Sequence, residues 1–473
     1  MLFNSIEFLL FLPTVFILYW FVLNKNLKIQ NSLLLFSSYV FYGWWDYRFL
    51  TLIFLSTIVD YIIGLKISNQ DSVNKQKLLL WCSVLFNLSV LGFFKYYNFF
   101  IESWIDLFSS IGYEINSVWT LNIILPVGIS FYTFQTMSYT IDVYSKKLEP
   151  TKDFISFASF VSFFPQLVAG PIERAPNLLP QILNKREFNY EQGVQGLRLI
   201  LWGMFKKVVI ADSLAPTVDN IFSNYQIYDG GILWLGAIYF AFQIYCDFSG
   251  YSDIAIGTSK LFGLELMSNF KFPYFSRNIG EFWRRWHISL STWFRDYLYI
   301  PLGGSKEGTW KSIRNIFIIF LVSGFWHGAT WTFIFWGFFH SILFLPSLIF
   351  KTNRKYTNSI IADNTILPSL KEFLQVGITF ILVTIGWVFF RSETISDSIS
   401  YLSQMLFEFG PPQTYRREIL FVICLTLLDF FIRGNERMNF KKPNSIELLG
   451  SVLLVLVILF FYNKSPSFIY FQF

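Results

Sequence analysis

Long apolar runs separated by short polar segments dominate the chain and predict helices that cross a membrane. A helix rises about 1.5 Å per residue, so roughly 20 apolar residues span the ~30 Å hydrocarbon core of a bilayer. Runs of comparable length occupy 8–23, 31–45, 50–66, 77–98, 119–142, 154–170, 194–211, 230–248, 315–345, 371–390, 418–432 and 447–463. We therefore predict an all-α polytopic membrane protein of about 11–13 helices. We treat residues 1–473 as a single integral-membrane domain.

Polar side chains lie within or beside these runs and predict a polar interior. They are Gln135, Asp142, Gln166, Arg198, Lys206, Lys207, Gln243, Asp247 and Asp253. Several prolines also break the helical pattern between residues 165 and 192. Irregular backbone and polar groups persist at membrane depth only where protein or water surrounds them. The pattern favours a helical bundle around a central polar cavity or tunnel, although any single polar residue could instead belong to a structural pair.

Lysines alternate between successive loops and predict an orientation. Segments 24–30, 66–77 and 145–153 each carry two or three lysines, whereas the intervening segments 46–49 and 99–118 carry one arginine and several carboxylates. Cytoplasmic loops are enriched in Lys and Arg. This pattern places the lysine loops, and the basic segment 306–314, in the cytoplasm and the N-terminus outside.

Composition narrows the class of protein further. Only 14% of the residues are charged and 54% are hydrophobic, whereas a soluble domain carries about 25% charged residues. The net charge of +6 is better explained by loop topology than by nucleic-acid binding, and we expect no nucleic-acid partner. Three cysteines in apolar segments imply no disulfide framework.

The only three histidines of the chain, His287, His327 and His340, lie between residues 278 and 340. If 315–345 is one helix, His327 lies roughly 18–20 Å beyond the basic turn that ends at Arg314, past the middle of the membrane. Its helical neighbours would include Ser323 and Trp331. An ionisable side chain at this depth indicates a functional site, although a histidine that only joins two helices remains an alternative.

His287 lies among charged and aromatic residues, a setting unlike that of His327. Glu281, Arg284 and Arg285 precede it, and Trp283 and Trp286 are interleaved at roughly helical spacing. This pattern favours an amphipathic or re-entrant helix that lines a wet cavity, with an interfacial anchor helix as the alternative. His340 would point about 220° away from His327 on a continuous helix, so we expect a hydrogen-bonded interfacial histidine near a helix end.

Several long segments resemble the signature of the membrane-bound O-acyltransferase family. They are RRWHISLSTWFRDYLYIPLGG from Arg284, GFWHGATWTFIFWGFFH from Gly324, PVGISFYTFQTMSYTIDVY from Pro126, FFPQLVAGPIER from Phe163 and FQIYCDFSGYSDIAIG from Phe242. The match is closest to the bacterial branch that includes alginate O-acetyltransferase, and more distant to the D-alanyl transferases of teichoic acids. The resemblance places the signature core at about 120–345.

The resemblance implies a helical bundle around a tunnel, with His327 as the catalytic residue and His287 as its partner. Histidine can be neutral at working pH and still accept a proton, which suits a general base for acyl transfer to a hydroxyl. His287 would hold the acceptor hydroxyl or polarise the donor carbonyl. We expect the other residues of the tunnel to be Trp286, Ser323, Trp326, Trp331, Asp247, Arg285 and Gln166.

The function expected from these features is transfer of an acyl group, most simply acetyl, to a secreted or cell-surface polysaccharide. The donor would be a cytoplasmic thioester, either acetyl-CoA or an acyl carrier, with no bound cofactor. No spacing typical of a metal site is present. The resemblance also implies a bacterial inner-membrane location and a periplasmic acetyl-handling partner protein. Teichoic-acid or lipid-linked sugar acylation remains open within this class, and a transporter that performs no chemistry remains open outside it.

Overall fold

The described part of this computed structural model comprises residues 1–113, 120–357, 359–363, 365–408, 410–438 and 445–462. Within these ranges the chain is helical and contains no strand. Its α-helices are α1 Ile6–Ile17, α2 Leu27–Asp46, α3 Leu50–Ser68, α4 Val73–Leu91, α5 Tyr97–Ser110, α6 Ile129–Tyr144, α7 Phe154–Ser162, α8 Phe164–Leu167, α9 Ala175–Leu183, α10 Tyr190–Met204, α11 Asp212–Ser223, α12 Gly230–Leu261, α13 Ile279–Arg285, α14 Ile288–Phe294, α15 Thr309–His327, α16 Trp331–Ile349, α17 Leu370–Arg391, α18 Ile395–Phe407, α19 Ile419–Ile432 and α20 Ser445–Phe461.

The helices confirm the predicted fold class, an all-α polytopic membrane protein. Five helical stretches of the described chain are long and apolar enough to cross a bilayer: Leu27–Ser68, Val73–Ser110, Gly230–Leu261, Trp331–Ile349 and Leu370–Arg391. Some of the α-helices run into one another without leaving helical geometry, as α10 and α11 do through Phe205–Ala211. The segments are therefore more numerous than the 11–13 helices anticipated from apolar runs, while the architecture is the same.

The predicted helix over 315–345 is wrong, because α15 ends at His327 and α16 begins at Trp331. The three residues between them are small and uncharged, so an apolar pattern alone does not mark the turn. α15 and α16 pack closely in opposite directions. A Cβ atom on Gly324 would lie 2.2 Å from the Phe333 carbonyl oxygen, and one on Gly337 would lie 2.2 Å from the Phe320 oxygen. Glycine is required at both positions for this approach.

Two other predicted runs are also divided. The run at 119–142, whose first residue lies outside the described ranges, becomes helical only from Ile129, because Gly128 adopts a left-handed conformation with φ 77°. The run at 154–170 breaks at Phe163, just before Pro165. Pro165 lies in the first turn of α8 and has no backbone N–H to continue the hydrogen bonds of α7, which is consistent with the second break.

The chain forms two compact units. One consists of Met1–Phe188, Phe262–Leu266 and Gly328–Thr330, and the other of Asn189–Leu261, Met267–His327 and Trp331–Phe473. The assignment of residues 1–473 to one membrane domain, with its signature core at about 120–345, stays a prediction.

The first unit contains a fully buried carboxyl group at Asp60 on α3. Two side chains of α4 donate to it: the Ser83 hydroxyl lies 2.5 Å from Oδ1, and the Asn87 amide nitrogen lies 2.8 Å from Oδ2. On α6, Thr136 donates to the Asn87 side-chain oxygen at 3.1 Å, and the Thr140 hydroxyl lies 2.9 Å from Ser83. These hydrogen bonds join three helices around one carboxyl group.

The second unit contains buried ion pairs where the Phe205–Ala211 turn meets α12. The Lys206 ammonium lies 2.5 Å from Asp253, and the Lys207 ammonium lies 2.7 Å from Asp247 and 2.8 Å from Asp212. Burial of these lysines agrees with the polar interior predicted from sequence. The pairs also give each charge a partner, which a buried charge requires.

Candidate active site

His287 and His327 come together in the second unit, with their ring centroids 6.3 Å apart. Both side chains are buried, at 1% and 4% exposure respectively. The sequence could not give this distance, because about forty residues separate the two positions. The proximity agrees with the pairing that the family resemblance implied.

His287 lies between two short helices, α13 and α14, and not within one helix as its spacing predicted. Its backbone is left-handed, with φ 43° and ψ 55°. Asn269 holds this turn, because its carbonyl oxygen accepts the Ile288 N–H at 2.9 Å. Because of this turn, the His287 ring does not point in the direction that it would take on a continuous helix.

The Asn269 side chain also fixes the orientation of the His287 ring. Its Oδ1 accepts the Ser289 N–H at 3.2 Å and lies 3.1 Å from His287 Nδ1. Its Nδ2 donates to Ser252 at 3.1 Å. Since this oxygen can only accept, we assign the hydrogen to His287 Nδ1, which leaves Nε2 as the basic nitrogen of the neutral ring.

His327 is the last residue of α15 and has aromatic rings on several sides. Ring centroids lie 5.0 Å away for Trp326, 5.2 Å for Trp336 and 5.5 Å for Phe390. Trp326 also lies 6.1 Å from the His287 ring. These contacts give the two imidazoles apolar, buried surroundings, in which a hydrogen bond or a charge is stronger than in water.

Two other residues assigned to the tunnel, Ser323 and Trp286, are buried and lie near His327 and His287 along the chain. Ser323 lies one turn before His327 on α15 and is 5% exposed. Trp286 precedes His287, and its ring lies 4.9 Å from Trp387 and 5.1 Å from Phe270. Both positions are compatible with a wall of the path, which stays a prediction.

The remaining residues assigned to the tunnel lie in other settings. Trp331 begins α16 and is 56% exposed, and its place in the tunnel stays a prediction. Asp247 is ion-paired with Lys207. Arg285 binds Glu281 at 2.8 Å and the Ser359 carbonyl at 3.0 Å. Gln166 belongs to the first unit, where it donates to the Phe160 carbonyl at 3.0 Å.

His340 differs from its prediction. It lies within α16, is fully buried, and neither ring nitrogen has a hydrogen-bond partner among the described residues. Its ring is 5.0 Å from both Trp283 and Trp336 and 6.3 Å from Phe320. The prediction of a hydrogen-bonded interfacial histidine assumed one helix through 315–345, and the turn after His327 removes that assumption.

Asn269 is the site residue that sequence reasoning missed, because a lone asparagine in a loop gives no signal of what it will hold. Asn269→Leu is expected to lower kcat for acyl transfer about ten- to a hundredfold, since His287 loses the group that orients it. Steady-state rates on purified protein would measure this. Asn220→Leu, which changes an asparagine of α11 that bonds Tyr228 and Tyr415, is the control. Equal rates for both variants would contradict the orienting role.

Comparison with known proteins places this site in a family. A profile described as "MBOAT, membrane-bound O-acyltransferase family" matches residues 148–385, which include both histidines. A probable alginate O-acetylase of Azotobacter vinelandii is 42% identical over 413 residues, covering 87% of this chain and 79% of that protein. A peptidoglycan O-acetyltransferase of Helicobacter pylori is 36% identical over 441 residues, covering 86% and 80%.

A more distant relative is a teichoic acid D-alanyltransferase of Streptococcus thermophilus. It is 33% identical over 232 residues, which cover 46% of this chain and 55% of that protein. The profile spans half of the chain, and the two O-acetyl-transferring relatives align over most of it. The protein is therefore a member of the membrane-bound O-acyltransferase family.

Proposed function

We propose that the protein transfers an acetyl group from a cytoplasmic thioester to a hydroxyl of a polysaccharide outside the membrane, with His327 as general base. The observation that carries the proposal is the 6.3 Å separation of two buried imidazole rings, His287 and His327. At this separation one small polar group can contact both rings. The aromatic rings around His327 would limit access of the water that could hydrolyse the donor.

The proposed chemistry needs few protein groups. His327 takes the proton of the acceptor hydroxyl as its oxygen attacks the thioester carbonyl carbon. The carbon–sulfur bond breaks, the ester forms, and the departing thiolate receives the proton from the imidazolium. The tautomer assigned to His287 leaves Nε2 as an acceptor. This favours a role in which His287 holds a hydroxyl of the acceptor over one in which it donates to the carbonyl oxygen.

The names of the relatives support a polysaccharide acceptor. The two that align over most of this chain are named for acetylation of alginate and of peptidoglycan. The relative named for D-alanylation of teichoic acid aligns over less than half of it. We therefore favour acetyl over D-alanyl as the transferred group. Transport without chemistry loses its support, since the family is one of acyltransferases.

The remaining parts of the proposal concern location and partners. The alternation of lysine-rich loops supports a multi-pass protein with its N-terminus outside, and the resemblance to the bacterial alginate branch supports the inner membrane. The donor would then enter from the side of the lysine loops and the acceptor from the other side. A periplasmic acetyl-handling protein would complete delivery to the polymer, as the resemblance to the alginate branch implies. The Trp286, Ser323 and Trp326 side chains would line the path between the two entrances.

The proposal is tested by measuring alkali-labile acetate on envelope and secreted polysaccharide from cells with and without the gene. Ester acetate is expected only in cells that make the protein. In sealed membrane vesicles, labelled acetyl-CoA should label polysaccharide only when it is added to the face that carries the lysine loops. Equal ester acetate in both strains, or labelling from the opposite face alone, would contradict the proposal. Ester-linked D-alanine in the same hydrolysate would instead indicate the teichoic-acid alternative.

A further inference from the structure

His340 is a buried polar group that the proposed chemistry leaves unused. A neutral imidazole carries one N–H donor and one acceptor nitrogen, and buried groups of this kind are almost always hydrogen-bonded. Neither His340 nitrogen has a partner among the described residues, although the side chain is 0% exposed. The indole N–H groups of Trp283 and Trp336, whose rings lie 5.0 Å from His340, also lack partners in the described chain.

These groups form a continuous row with the catalytic pair. The Trp336 ring lies 5.2 Å from His327 and 5.0 Å from His340, so it stands between the two histidines. Phe282 and Phe320 pack against His340 from other directions, at 6.5 Å and 6.3 Å. The row therefore combines apolar walls with polar nitrogens at intervals of about 5 Å. A purely apolar acyl chain would leave those nitrogens unsatisfied, which is costly.

The row runs toward the basic end of α15. The antiparallel packing of α15 and α16 brings Gly337 against the Phe320 carbonyl, and Phe320 lies about 10 Å before His327 along α15. His340 is thus displaced from His327 toward Lys311 and Arg314 at the start of α15. Under the positive-inside rule this end faces the cytoplasm. A thioester donor would enter from that side, whereas the polysaccharide would not.

We propose that His340, with the indoles of Trp283 and Trp336, binds the amide-bearing arm of the thioester donor whose carbonyl reacts at His327. This inference rests on the proposed function and deepens it. Amide groups spaced by methylenes, as in a pantetheine arm, supply acceptors for the indole N–H groups and a hydrogen-bond partner for the imidazole. His340 is a positioning residue, and it takes no part in proton transfer to the acceptor.

One glycine limits how far the His340 ring can move. A Cβ atom on Gly386 of α17 would lie 2.8 Å from His340 Nε2, so α17 passes close to the imidazole at this point. Gly386→Ala would displace the ring without removing it. Gly377, on the same helix, offers a matched control because a Cβ atom there meets nothing within 4 Å. The pair separates displacement of His340 from a general effect of alanine on the helix.

The test is steady-state kinetics of purified protein with acetyl-CoA as donor, in which each substrate is varied while the other is held at saturation. His340→Phe is expected to raise the KM for acetyl-CoA about five- to tenfold, because the donor would lose one or two hydrogen bonds. The kcat and the KM for the acceptor should stay within about twofold of the wild type. His340→Gln, which keeps a donor and an acceptor, should restore the donor KM. Gly386→Ala should raise it as His340→Phe does, and Gly377→Ala should not.

The outcomes separate this inference from the proposed function. If the wild type uses acetyl-CoA and His340→Phe leaves the donor KM unchanged, the inference is overturned and the proposed function stands. A change confined to the acceptor KM, or a loss of kcat that His340→Gln shares, would also overturn it. A wild type that transfers nothing from acetyl-CoA would overturn the proposed function, and the inference with it. A thermal unfolding midpoint for each variant shows whether a folding defect accounts for its kinetics.

Discussion

Replacing His327 with alanine is expected to lower acetyl transfer about 10²- to 10⁴-fold, the range that general-base catalysis supplies. The imidazole is 4% exposed and lies 6.3 Å from His287, and the family resemblance assigns the role of base to it. The measurement is the amount of alkali-labile acetate on polysaccharide from cells that make each variant. This amount is normalised to the amount of the variant in the membrane fraction.

His327→Gln separates proton transfer from packing. Glutamine keeps much of the volume and can hydrogen-bond between helices, but its amide does not accept a proton at neutral pH. We therefore expect His327→Gln to be nearly as inactive as His327→Ala while it inserts normally. Activity close to the wild type in His327→Gln would show that the histidine only joins helices. His287→Ala should cause a smaller, partial loss, because we assign it an orienting role.

Replacing Glu281 with alanine is expected to lower the free energy of unfolding by about 3–5 kcal/mol, the cost of breaking a buried ion pair by removing one partner. The Glu281 side chain is fully buried, and its carboxylate lies 2.9 Å from Arg277 and 2.8 Å from Arg285. Both guanidinium groups are largely buried as well, at 4% and 13% exposure. Without the carboxylate, two positive charges would lose their shared partner at the start of the turn that carries His287.

The measurement is the thermal unfolding midpoint of purified protein in detergent, which should fall by several degrees. Glu307→Ala is the matched control. Glu307 and Lys311 form another pair spaced by four residues, with atoms 2.6 Å apart, but about half of each side chain is exposed. Exposed pairs contribute little, so the midpoint of Glu307→Ala should not change. Equal shifts in both variants would show that burial of the Glu281 cluster does not determine its contribution.

The fold class could be predicted from sequence because a helix that crosses a membrane needs a long apolar run. The turn between His327 and Trp331 could not. Small uncharged residues join two apolar helices there, and only the close approach of Gly324 and Gly337 to the facing backbone reveals that the chain reverses. The turn also explains why the predicted environment of His340 is wrong. That prediction depends on the angle between His327 and His340 on one continuous helix.

The candidate site could be predicted from the sequence only in part. The chemistry of imidazole and the resemblance of the flanking segments pointed to His287 and His327. Their separation depends on how α15 packs against the α13–α14 turn, which local pattern does not encode. Asn269 was missed because its role arises from tertiary contacts with His287 and Ser289.

The Asp60 cluster of the first unit has a consequence for how the protein is made. A charged residue at the centre of a lone membrane helix costs about 2.5–3.5 kcal/mol on insertion scales. Asp60 on α3 finds its hydrogen-bond donors on α4, and α6 completes the group only after Thr136 and Thr140 have been synthesised. During translation, insertion of α3 together with α4 as a hairpin would satisfy this carboxyl group, whereas insertion of α3 alone would not. The cluster therefore favours insertion of α3, α4 and α6 as a group, and all three are synthesised well before His287 and His327.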